Sequence, residues 1–394
     1  MRRLLFILLT ACTLTAKAQV HDIVCGETTR IDTTHTRALG LRLNTLGFFH
    51  DNEYSSQLTK GYSLPGARIT PAITYNPIQQ VHLEVGAAAL VYNGANKYPC
   101  YAYHDIAKWK GNQYQKGMHI LPWVRAQIDF RHLSVVVGNI YGGANHRLIE
   151  PLYNPEHNLS ADPEMGFQLI LNRKHIAMDT WMDWQSYIFT LDSHPEAFTV
   201  GSHARLLWNA PTSRLHWYTP IQLLIQHRGG EQDTTALGVQ TICNASLGVG
   251  LRANMQRTHL TRIDAEVNAV ASYQQSGTLW PFDTGMALHA QSGVTLWDRL
   301  NMRIGYVGAP RQYVSLYGSP LYGTLSIRPD NYHYQYSGNH TLDAKADYCH
   351  TFGKGYALGA QLAAYKSMGQ QIDDFNFHFG IYLRIDPTII LKRF

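Results

Sequence analysis

The stretch AMDTWMDWQSYIF, Ala177 to Phe189, holds the residue types best suited to binding chemistry. Asp179, Trp181, Asp183, Gln185 and Tyr187 share one parity, with Met178, Met182 and Ile188 on the other. Carboxylates and amides beside aromatic faces suit stacking and hydrogen bonding to sugars or peptides, and equally suit a packed interior girdle. Two long polar stretches add further candidates. Residues 143–164 carry His146, Arg147, Glu150, His157 and Asp162. Residues 309–340 carry Tyr313, Tyr317, Tyr322, Tyr332, Tyr334 and Tyr336. A stretch of that length either folds inward as a constriction or plug, or presents a ligand surface or surface cap.

The twenty histidines are dispersed, and His82, His119, His203, His216, His289 and His378 fall on the polar parity of separate segments. Such histidines are ordinarily neutral wall residues or weak metal contacts. The chain has no GxSxG, HExxH, P-loop or GxGxxG pattern, and no CxxC for zinc or redox work. With no such constellation, the expectation is no enzyme, no metal and no cofactor.

What would position these side chains is a long series of strands. Alternation of period two recurs in sixteen segments, near 39–49, 64–75, 80–92, 117–131, 133–142, 165–173, 175–188, 197–208, 215–227, 236–256, 261–273, 284–297, 299–308, 341–351, 355–366 and 373–386. In the last of these, Phe375, Phe377, Phe379, Ile381, Leu383 and Ile385 oppose Asn376, His378, Gly380, Tyr382, Arg384 and Asp386. The aromatics of the apolar parity, including Phe49, Phe130, Trp208, Trp217 and Phe375, fall near segment ends. Long connections follow odd segments and tight ones, such as NPIQ, RH, RKH and FGKG, follow even ones.

Composition bounds the rest. Of 394 residues, 45% are hydrophobic and 15% charged, with no linker, low-complexity tract or fixed repeat. The opening MRRLLFILLTACTLTAKAQ is laid out as a secretory leader cut after Ala18, with Leu9–Cys12 as a competing lipoprotein site. Removing Arg2, Arg3 and Lys17 takes the formal charge of +5 to about +2, so no nucleic acid or other polyanion is implied. Cys25, Cys100, Cys243 and Cys349 remain, too few and too widely spaced for a disulfide framework, although a Cys25–Cys100 bridge is possible. No later window of ~18 consecutive apolar residues exists to make a transmembrane helix.

These features together resemble the Gram-negative outer-membrane β-barrel proteins, over residues 39–394. The carriers are the leader, the alternating final strand, the sorted loops and the terminal aromatic Phe394. The resemblance implies an all-β transmembrane antiparallel barrel of about sixteen strands with short periplasmic turns and long extracellular loops. It implies residues 1–18 as signal peptide, 19–38 as a periplasmic segment, and location in the cell outer membrane. Outer-membrane lipid and the barrel-assembly machinery are then the expected partners. PTIILKRF intervenes before Phe394, so either the last strand continues past Pro387 through a kink or bulge, or the final eight residues form a short tail.

A sixteen-stranded wall encloses more space than side chains alone must fill, so an aqueous or partly plugged lumen is expected. Its expected lining includes Arg125, Asp129, Asp179, Trp181, Asp183, Arg205, Arg262, Asp264, Glu266, Arg303 and Arg384, of both signs. Mixed charge points to a porin-like channel for diffusion of small polar solutes. The alternatives are an accessory or scaffold barrel whose loops bind a partner, and, further down, an outer-membrane hydrolase. A TonB-dependent transporter is excluded by length.

Overall fold

The computed structural model describes residues 24, 29–93, 117–188, 194–210, 213–230, 238–255, 259–328, 330–353 and 355–394. The alternating segments form one antiparallel sheet. Its first half comprises β1 (Ala38–Glu53), β2 (Tyr62–Tyr75), β3 (Val81–Tyr92), β4 (Gly117–Asp129), β5 (Leu133–Asn139), β6 (Met165–Asn172), β7 (Ile176–Ser186) and β8 (Ala197–Leu207). The second half comprises β9 (Leu215–Arg228), β10 (Gln240–Asn254), β11 (Leu260–Ser276), β12 (Thr284–Leu296), β13 (Leu300–Arg311), β14 (Asn339–Gly353), β15 (Tyr356–Met368) and β16 (Asp373–Ile385), followed by β17 (Thr388–Arg393). Each strand pairs with its sequence neighbour, and β1 pairs with β2 on one edge and with β16 and β17 on the other. The sheet is therefore a closed sixteen-stranded barrel. Closure is what lipid demands, because an open edge would leave backbone groups unpaired in hydrocarbon.

The chain runs on past Pro387 as a bulged continuation of β16, with Leu41 opposite Ile389 and Gly47 opposite Leu383. Of the two readings of PTIILKRF, the bulged strand is the observed one. The Phe394 ring meets Tyr75 edge-on at 6.0 Å. An ion network lies beside this seam on the inner face. Arg42 donates to Glu84 at 2.9 Å and to both oxygens of Asp386 at 2.8 and 2.9 Å. Trp123 Nε1 donates to the other Glu84 oxygen at 2.9 Å. Removing one member leaves buried carboxylate uncompensated, a loss of about 3–5 kcal/mol. Arg42→Met should therefore lower the temperature at which the compact, heat-modifiable form converts on a detergent gel. An unchanged midpoint would show that the seam does not depend on this network.

The two faces are inverted relative to a water-soluble sheet. Ile120 and Ile304, pointing outward, are 59% and 66% exposed, while Arg125 and Asp347, pointing inward, are 1% and 0% exposed. The apolar belt faces lipid, and exposed aromatics such as Phe49, Phe130, Trp208, Trp217 and Phe375 mark its margins.

The lumen is occupied by two inward loops, between β5 and β6 and between β13 and β14. Asn154 N–H donates to the Tyr317 carbonyl at 2.7 Å, and Tyr313 Oη to that of Pro151 at 2.8 Å, which ties the loops together. The wall holds them: Asn244 exchanges two bonds of 3.0 Å with Val314 and Leu316, and Tyr317 Oη contacts Thr199, Gln185 and Gln226 within 2.9 Å. Tyr313, Tyr317, Tyr322 and Tyr336 are buried, whereas Tyr332 and Tyr334 are exposed. From the other end, Val24 and Thr29 offer carbonyls to Arg384 and Gln127 at 3.0 and 2.9 Å.

One parity assignment needs correcting. A bulge between Trp184 and Ser186 reverses the alternation, so Ser186 is buried and Tyr187 is exposed rather than facing inward. Cys25, Cys100 and Cys12, with the leader, lie outside the described residues.

Candidate functional site

The first inward loop is anchored on His146. Its imidazole lies flat on the Trp181 indole, with ring centroids 3.4 Å apart, and meets Asp179 at 2.7 Å and Glu164 at 2.8 Å, one carboxylate on each nitrogen. Trp181 can lie down because Gly201 stands opposite on β8; a Cβ there would fall 2.1 Å from the indole. Burial alone would favour neutral His146, but Glu164 and Asp179 outweigh it and raise its pKa to about 9. Glu164 is held below the usual carboxylate range: burial opposes this, and His146 overcomes it. His157, deeper in the loop, is pushed down to about 4 by burial.

The wall beside this loop is low. β5 has only seven residues and pairs with β4 over Arg125–Asp129. Towards the extracellular end, Gly117–Trp123 pairs with β3 on one side, and among the described residues no strand lies on its other side. Seven residues at ~3.3 Å each, tilted by ~40°, cover roughly 18 Å of a ~25 Å apolar band. Among the described residues this leaves a notch in the extracellular half of the wall. Behind it lies a cavity of about 80 Å³ lined by Arg68, Trp123, Arg125, Asn145, Asp162 and Glu164, among others. Arg68 donates to the Asn158 carbonyl. His119, on β4, has Nε2 3.5 Å from Asp162 Oδ1, and both side chains are part-exposed. Beside the cavity the inward face is apolar, with Val24, Leu46, Phe48, Leu64, Leu90, Tyr92, Leu159, Cys349 and Tyr382 in one cluster.

All eleven expected lining residues point inward, but as members of packed networks more than as the wall of an open channel. Arg125 contacts the Asn139 and Ile140 carbonyls at 2.7 and 3.1 Å; Asp129 accepts from Gln127; Asp179 and Trp181 hold His146; Asp183 accepts the Met165 N–H. Arg303 meets Asp347 at 3.1 Å, Arg262 meets Asp264 at 3.2 Å, Glu266 accepts from Tyr218 at 2.8 Å, and Arg384 meets Asp386 at 2.9 Å. Arg205 lies over the Tyr218 ring. The inward loop carrying His146 and Asp162 was legible from its length and polarity. The pairing of His119 with Asp162 was not, since 43 positions and a loop fold separate them.

The closed wall, the lipid-facing belt and the sorted loops define a Gram-negative outer-membrane β-barrel protein of porin-like architecture. More particularly, the chain belongs to the lipid A 3'-O-deacylase-type family, which matches residues 31–394. Its description is that of an enzyme family, and this overturns the expectation, drawn from the lack of a contiguous motif, that the chain is no enzyme. A catalytic group on a barrel is assembled across strands and loops and leaves no local pattern. No curated protein matches the chain. Among solved structures, OprD of Pseudomonas aeruginosa is similar with a TM-score of 0.49 and 11% identity, covering 92% of this chain and 98% of that one. OccAB4 of Acinetobacter baumannii gives 0.43 and 11%, covering 91% and 100%. A loop-deletion variant of OmpT from Vibrio cholerae gives 0.48 and 9%, covering 88% and 98%.

Proposed function

We propose that this barrel hydrolyses an O-linked acyl ester of an outer-leaflet glycolipid of the lipid A type, reached sideways through the notch beside β4. The notch is the observation that carries this reading. Among the described residues it lies beside a polar cavity and an apolar inward cluster, a combination that suits a glycolipid with an acyl chain. In the proposed step His119 takes a proton from water as it attacks the ester carbonyl carbon, and Asp162 orients the imidazole. Arg68 and Asn145, lining the same cavity, suit stabilisation of the oxyanion. The C–O bond then breaks, the departing alkoxide takes the proton back from His119, and a free fatty acid and an alcohol result.

Diffusion of small polar solutes, the expectation from lining charge, would need a continuous wet path. Two cavities beside the inward loops measure about 80 and 50 Å³, which favours a site over a wide diffusion path. Export by a leader spanning residues 1–18, and recognition of the final strand by the barrel-assembly machinery, belong to the same proposal. The test is mass spectrometry of lipid A from Gram-negative cells expressing the chain. A new species lighter by one acyl chain supports the reading. An unchanged acyl pattern, with the folded barrel confirmed in the outer membrane, sinks it.

A further inference from the structure

Independently of the ester chemistry, we infer that the periplasmic half of the lumen holds a binding site for a small oxoanion, phosphate by class, between Arg205 and Arg252. Both residues stand two positions from the periplasmic ends of their strands, β8 and β10, and both guanidiniums lie against one ring, Tyr218, at 4.5 and 5.8 Å. The ring is laid across β10 by Gly250, where a Cβ would come within 2.1 Å of it. Arg252 is 8% exposed. The Nε–H of each arginine is buried without a hydrogen-bond acceptor, and His216 stands opposite Arg252 in the β9–β10 register. A buried Nε–H without an acceptor, on the buried Arg252 and the half-buried Arg205 alike, is costly unless an acceptor is supplied from outside.

A cavity of about 50 Å³ opens beside them, and Arg147 also reaches it from the tip of the inward loop. Arg147 sits there in the left-handed region at φ 56°, so the loop backbone bends to deliver it. The carboxylates facing this cavity have other partners, with Asp264 also standing opposite Arg252 in the β10–β11 register. Glu150 and Asp343 pair with Lys345, Asp264 with Arg262, and Glu266 accepts from Tyr218 and Asn268. What remains is positive charge with fork geometry, which matches phosphate better than a monovalent halide. The source of the phosphate group is free anion from the periplasm or a phosphate borne on an inner-leaflet lipid.

The test uses the full folded barrel in non-ionic detergent, titrated calorimetrically with inorganic phosphate and, separately, with dihexanoyl phosphatidic acid. Binding of either that weakens roughly tenfold or more in both Arg205→Gln and Arg252→Gln supports the site. Inorganic phosphate binding identifies a free anion, and binding of the phosphatidic acid alone identifies a lipid source. Heat-modifiable migration confirms the fold of each variant, and if one fails to fold the other carries the comparison. No binding of either probe, or binding unchanged by the substitutions, overturns the inference.

Discussion

Replacing His146 with alanine is expected to unseat the inward loop and raise stepwise conductance in a planar bilayer above that of the wild type. The imidazole is fully buried and answers two carboxylates, Asp179 and Glu164, while its ring covers Trp181. Alanine would leave two part-buried carboxylates without their cation, which costs up to about 3–5 kcal/mol. The barrel ladder does not pass through this residue, so the loop should give way before the wall does. Alkali should act the same way. The folded pKa of about 9 lies above the ordinary value of 6.5, so His146 contributes its full stabilisation below about pH 6.5 and loses it as pH rises through 9. Protease cleavage of the 143–164 loop should accordingly accelerate above pH 9 in the wild type, and be fast at pH 7 in the alanine variant. Equal cleavage at pH 7 and pH 10 in the wild type would show that the histidine cation does not hold the loop.

Replacing His119 with alanine is expected to reduce acyl release by ~10²–10⁴-fold, the usual contribution of a positioned acid–base group. Asp162→Asn should reduce it less, because the carboxylate orients the imidazole rather than taking the proton. Neither residue belongs to the closing seam or to the His146 anchor, so both variants should keep heat-modifiable migration and the wild-type bilayer record. A large loss of rate with intact fold separates a proton-transfer role from a structural one. His119→Ala at wild-type rate would move the chemistry elsewhere on the barrel.

Strand existence and polarity were legible because a barrel in lipid must repeat the same two-faced pattern in every strand, and β16 shows it without a break from Phe375 to Ile385. The bulge after Trp184 was not legible, because an extra residue leaves no compositional mark and only the observed register reveals that Tyr187 has changed side. The two loops announced themselves by length and by histidines and tyrosines, but their mutual bonding, such as Asn154 to Tyr317, joins residues 163 positions apart. The notch was not legible, because the alternation runs over 133–142 while the observed β5 ends at Asn139. Its meaning depended on knowing that β4 continues where β5 does not. The site itself, His119 against Asp162 beside Arg68, is distributed over two strands and a loop, and no spacing rule connects them.

The most direct measurement of the central claim is free fatty acid release from vesicles containing purified lipid A, with the folded wild-type barrel and its His119→Ala variant at equal density. The wild type should release one acyl chain per lipid, and the variant should be at least a hundredfold slower. Release by neither protein, or equal release by both, would contradict the claim.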